Sequence, residues 1–111
     1  MQCLSLFCEF GKLKKIVTLD RSVSTAGYSS VTIVCAERSQ KYEAAEFLSL
    51  EWFDGSTWTT ADQWQQKGWR EQFTALPAAA GNNSAFAVRF STNAKGKQER
   101  SKVDDVLVVG N

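Results

Sequence analysis

Histidine is absent from the chain. Its absence removes Ser-His-Asp and Cys-His catalysis and the commonest transition-metal ligand. Cysteine occurs three times and proline once. An odd cysteine number argues against a complete disulfide framework. Cys3, Cys8 and Cys35 also lack the close pairing of a zinc knuckle. Cys35 lies in an apolar stretch and reads as a small buried hydrophobe. Cys3 and Cys8 are too far apart to bridge within a strand and meet only if the backbone turns back. No apolar run is long enough to span a bilayer, so membrane insertion is not expected. The opening residues lack a basic n-region and contain Glu9, so no secretory signal is read there, which leaves a cytoplasmic location open. Charge of one sign is lacking too. Thirteen cations face twelve carboxylates, a net charge of +1, which gives no electrostatic reason to expect nucleic acid. Lys12, Lys14 and Lys15 read as a solvated strand edge, where lysine discourages edge-to-edge pairing.

What is present is β-pattern. Hydrophobic residues make up 43 % of 111 positions, enough for one two-layer core, and a single domain over residues 1–111 is expected. Period-2 alternation dominates, and no long stretch carries a helical repeat. Leu4, Leu6, Cys8 and Phe10 fall on one face of a first strand; Leu13, Val17 and Leu19 share a face of a second. Val31-Thr32-Ile33-Val34-Cys35 is β-branched and reads as a central strand. Leu48, Leu50 and Trp52 alternate with Ser49, Glu51 and Phe53. Asp54-Gly55 then signals a hairpin through two positions that tolerate positive φ. The return strand from Trp58 fades into a polar loop over 62–68. Further strands are expected over 69–73, stopped by Pro77, and over 85–91 and 102–109. Several short strands with turn signals between them indicate an all-β antiparallel sandwich.

The order of these pieces resembles secreted bacterial jelly-roll modules of the lectin-like, meprin-type (MAM) and carbohydrate-binding kinds. The residues that carry the resemblance are Glu51-Trp52-Phe53-Asp54-Gly55-Ser56-Thr57-Trp58, Phe73-Thr74-Ala75-Leu76-Pro77, Phe86-Ala87-Val88-Arg89-Phe90 and Val103-Asp104-Asp105-Val106-Leu107-Val108-Val109-Gly110. Asp20, Ser22, Gly27 and Tyr28 fit more loosely. The match runs from about Gly11 to Gly110, with the families' N-terminal segment shortened. The resemblance implies a jelly-roll sandwich acting as a non-catalytic carbohydrate-binding or adhesion module at the cell surface or outside the cell. Ala75 is an extra residue in the phenylalanine-to-proline step and suggests a β-bulge. The resemblance also implies a structural calcium near the last strand. Asp104 shares parity with Val106 and Val108, so it is expected to point inward as a ligand; the other reading is that it caps a turn or accepts backbone hydrogen bonds.

Candidate ligand residues follow from sugar chemistry. Aromatic faces stack on the apolar C–H groups of sugars. Trp52, Trp58 and Trp69 read as structural, whereas Trp64, among polar neighbours, is either a ligand platform or a loop anchor. With Phe86, Val88 and Phe90, Trp69 and Phe73, and Leu48, Leu50 and Trp52 all inward, the outward set is Ser49, Glu51, Arg70, Gln72 and Arg89. Such planar donors and acceptors suit vicinal hydroxyls; the same set also reads as a solvated face with cross-strand ion pairs. No carboxylate pair stands out for glycosidase chemistry, and no enzyme is expected. The alternative function is a structural or self-associating sandwich without a small ligand. The apolar opening segment, residues 1–10, is expected to form a homodimer contact, because an open sheet edge invites a second chain.

Overall fold

The computed structural model describes residues 2–7, 12–14, 18–40, 42–65, 67–93 and 100–111. The described residues form nine strands: β1 (Gln2–Phe7), β2 (Lys12–Lys14), β3 (Thr18–Ser22), β4 (Val31–Gln40), β5 (Leu48–Phe53), β6 (Trp58–Trp64), β7 (Arg70–Ala75), β8 (Ala87–Thr92) and β9 (Arg100–Gly110). The helical content of the described residues is a single 3-10 turn at Ala78–Ala80.

The strands form two antiparallel sheets. The first has the order β1-β9-β4-β7, with β2 also paired to β9; the second has the order β3-β8-β5-β6. β1 pairs with the last residues of β9 and β2 with its first, so the two act as one interrupted edge strand. Only β5 and β6 are both consecutive in the chain and neighbours in a sheet. Elsewhere the chain shuttles between layers. That winding is a jelly roll, and the expected fold class holds.

Alternation explains the core. On β4, Val31, Ile33 and Cys35 are buried; on β5, Leu48, Leu50 and Trp52; on β8, Val88 and Phe90; on β9, Val103, Val106 and Val108. Burying each large apolar side chain contributes about 1.5–3 kcal/mol. Trp52 and Phe86 stack with centroids 6.5 Å apart. One end of the sandwich is closed by fully buried Thr25, whose Oγ1 donates to the Ala80 carbonyl at 2.6 Å and accepts the Asn83 N–H at 3.0 Å. Gly81 lets this end close, since a Cβ there would sit 2.7 Å from the Tyr28 and Ser29 carbonyl oxygens.

The β5–β6 hairpin forms as expected, but by a different device. Gly55 takes positive φ, at 107°. Asp54 does not, and works through its side chain: Oδ1 accepts the Ser56 and Thr57 N–H groups at 2.7 and 2.9 Å. Those bonds hold its carboxyl below the ordinary carboxylate range.

Three departures concern register. β4 and β7 pair without a shift from Glu37↔Arg70 to Thr32↔Ala75, so there is no bulge at Ala75. Irregularities fall instead between Cys3 and Ser5, opposite Leu50/Glu51 on β6, and on β9 opposite Val34/Ala36. β7 also faces the other way from the expectation. Phe73 is 67 % and Trp69 49 % exposed, while Thr74 and Leu76 are buried. The expected continuation of the first strand through Cys8 and Phe10, and Val17 in the second, lie outside the described residues.

Candidate polar site on the second sheet

β5 and β8 run side by side in the second sheet, with Glu51 opposite Arg89 and Ser49 opposite Ser91. Leu48, Leu50, Val88 and Phe90 hold the inner face, which turns these four polar residues outward. Arg89 grips Glu51 twice at Oε2, through Nη2 at 2.6 Å and Nε at 2.8 Å. The two side chains are only 25 % and 16 % exposed. The Arg89 guanidinium also lies 4.0 Å from the Trp58 ring centroid, and Trp58 packs on Phe53 at 5.2 Å. The cation is thus fixed on two sides, by a carboxylate and by an aromatic face.

Beside this pair lies an open depression of about 430 Å³ whose lining includes Ser49, Glu51, Thr60, Gln63, Arg89, Ser91 and Asn93. Its walls are hydroxyls, amides and one internally neutral ion pair. Gln63 Nε2 donates to Ser49 Oγ at 3.2 Å. Asn93 accepts the Phe47 N–H at 2.8 Å and donates to the Ala45 carbonyl at 3.0 Å, which ties the depression to the loop before β5. Ser91 was legible in the sequence, since it shares parity with Arg89. Thr60 and Gln63 were not: the extra residue, Ala61, lies between the pairs Leu50↔Asp62 and Glu51↔Thr60 and resets the alternation of β6.

The structure separates the other sequence candidates from this face. Arg70 and Gln72 lie on β7 of the first sheet. Gln72 has the parity of buried Thr74 and donates to Glu37 Oε2 at 3.0 Å. Trp64 is 8 % exposed and belongs to the hydrophobic core. It stands in register with Leu48 at the end of β6, because β6 continues to Trp64, three residues into the segment expected to be a loop. Its burial leaves no open ring face for a ligand platform and agrees with the other reading, a structural anchor where the chain leaves β6.

Gln72 instead belongs to a polar cluster between the sheets. Glu37 is fully buried and its Oε1 has no hydrogen-bond partner. Burial pushes its carboxyl up, against the Gln72 hydrogen bond and the Arg70 charge, and Asp62 adds to the rise. Asp62 accepts a hydrogen bond from Thr74 Oγ1 at 3.2 Å. Cys35 is pushed up to about 12 by burial first, then by Glu37 and Asp62, so its thiol stays protonated and unreactive.

Asp104 does not point inward. β9 carries an irregularity there, with Asp105 at φ 51° and Asp104 opposite Ala36. Ala36 lies between buried Cys35 and Glu37, so Asp104 takes the outer face. Its Oδ1 accepts the Asp105 N–H at 2.9 Å, the backbone role that was the other reading. Among the described residues no group of three or more metal-binding side chains comes together, and the inward direction expected of Asp104 is corrected to an outward one.

Also among the described residues, no helix is long and apolar enough to cross a membrane. Compared with known families the chain matches no family model, and compared with curated proteins it matches none. The lectin-like resemblance therefore rests on its motif residues, and the winding of the sheets supports the sandwich fold alone.

Proposed function

We propose that this protein is a non-catalytic carbohydrate-binding module, acting at a cell surface or outside the cell, and that it takes a neutral glycan in the depression on the second sheet. The observation that carries the reading is the Glu51–Arg89 pair, fixed over Trp58 beside neutral hydroxyl and amide groups. A cross-strand ion pair adds only about 0.2–1 kcal/mol to a sheet, so stability alone is a weak reason for so ordered an arrangement. Bidentate carboxylate and guanidinium groups match adjacent sugar hydroxyls. The pair cancels its own charge, which suits an uncharged ligand. Affinity gels containing neutral polysaccharides test the reading. Retardation is expected for the native chain and lost in Glu51→Gln; a chain that runs unretarded on a broad panel would sink it.

Self-association is a second reading, favoured by one observation: β1 lies at the open edge of the first sheet. Unpaired edge groups invite a second strand, and a two-fold contact through residues 1–10 uses the same patch twice. Light scattering should give a dimer for the full chain and a monomer for a chain starting at Gly11. A full-length monomer at high concentration would discard the contact.

A further inference from the structure

The register of the first sheet gathers cations that the sequence scatters. Arg38 on β4 stands opposite Lys102 on β9, and Lys102 stands opposite Lys12 on β2. In the next row Arg100 stands opposite Gln40 on one side and Lys14 on the other. Directly opposed residues of antiparallel strands share a face. Arg38 lies between buried Glu37 and Ser39, and Lys102 between buried Ser101 and Val103, so that face is the outer one. Strands lie about 4.8 Å apart and a two-residue step covers about 6.8 Å. Five cationic positions thus fall within an area on the order of 10 by 7 Å.

Like charges set directly opposite one another destabilise a sheet, so the patch works against the fold. Among the described residues no carboxylate pairs with Arg38 or Lys102. Arg38 lies 6.0 Å from the ring centroid of Trp69, which is 49 % exposed and offers a stacking surface beside the cations. The row on the other side is acidic, with Glu71 and Asp104 both opposite Ala36. A broad polyanion laid over the patch would meet those carboxylates. A narrow chain lying across the strands along the two cationic rows would not.

We infer that the outer face of the first sheet, at Arg38 and Lys102 with their register partners Lys12, Lys14 and Arg100, binds an acidic polysaccharide chain bearing carboxylate or sulfate groups. This site is separate from the depression on the second sheet and does not depend on it. A net charge of +1 concealed it, because the cations are concentrated by strand pairing and not by sequence. The Arg38 guanidinium and the Lys102 ammonium supply charge-assisted hydrogen bonds to the anions.

Calorimetric titration with heparin oligosaccharides and with oligogalacturonate tests the inference. Binding of at least one is expected at low salt, weakening steeply as salt rises. The double variant R38Q/K102Q should bind about tenfold more weakly or worse, as loss of charge-assisted bonds requires. Its salt dependence should be shallower, with a melting temperature no lower than that of the native chain, since like charges are removed from opposed positions, and unchanged retardation on neutral-glycan gels. R38K/K102R, which keeps the charges, should retain most of the affinity. Absence of binding to both oligosaccharides would overturn the inference. So would full affinity in R38Q/K102Q, or equal affinity for a duplex oligonucleotide or for vesicles rich in anionic phospholipid.

Discussion

Glu37 is the residue whose chemistry is most constrained. A carboxyl with no exposure, one hydrogen bond and one bare oxygen binds its proton more tightly folded than unfolded. Its folded pKa is raised above the ordinary 4.5. The stability it contributes is therefore fully present below the unfolded value and is lost as pH rises through the folded one. Glu37→Gln is expected to raise the urea midpoint at neutral and mildly alkaline pH and to remove that fall. A variant whose midpoint follows the native pH profile would contradict the assignment. Trp64 makes the opposite case, as an apparent ligand residue that is core. Truncating a buried aromatic costs about 3–5 kcal/mol. Trp64→Ala should lower the unfolding free energy measured in urea by that amount, whereas a surface platform would leave it nearly unchanged.

At the scale of elements, alternation was a sound guide wherever one face was clearly apolar. β4, β5 and β8 lie where their β-branched and aromatic residues placed them, and Pro77 follows the end of β7. Alternation fails in two physical situations. On the edge strand β7 both faces carry apolar residues, Trp69 and Phe73 on one and Leu76 on the other. Period 2 then separates the faces without saying which is inside. On β6 and β9 an extra residue resets parity, at Ala61 and at Asp105, and a one-residue slip moves side chains to the opposite face. For that reason Glu51 and Arg89 were legible as outward residues, though not as each other's partners, while Gln72 and Asp104 were assigned to the wrong face and Trp64 to a polar loop. The hairpin offers a check on local chemistry. Asp54→Ala removes the acceptor for two N–H groups and should lower the melting temperature, as loss of a helix cap does. Asp54→Asn should lower it less. Equal melting temperatures for Asp54→Ala and the native chain would show that the turn depends on Gly55 alone.

At the scale of the molecule, the two layers divide the polar surface into two kinds. The second sheet carries hydroxyls, amides and a self-neutralised ion pair; the first carries separate apolar, acidic and basic rows. A jelly roll is suited to this, because its inner faces meet in one core and leave both outer faces free. The central claim is that the second sheet is a glycan-binding face held by Glu51 and Arg89. Affinity electrophoresis of the native chain, Glu51→Gln and Arg89→Gln in gels containing neutral polysaccharide, with melting temperatures measured in parallel, tests it most directly. The account expects retardation of the native chain, loss of retardation in both variants, and stability losses of no more than about 1 kcal/mol. Equal mobility of all three chains on every polysaccharide would contradict it.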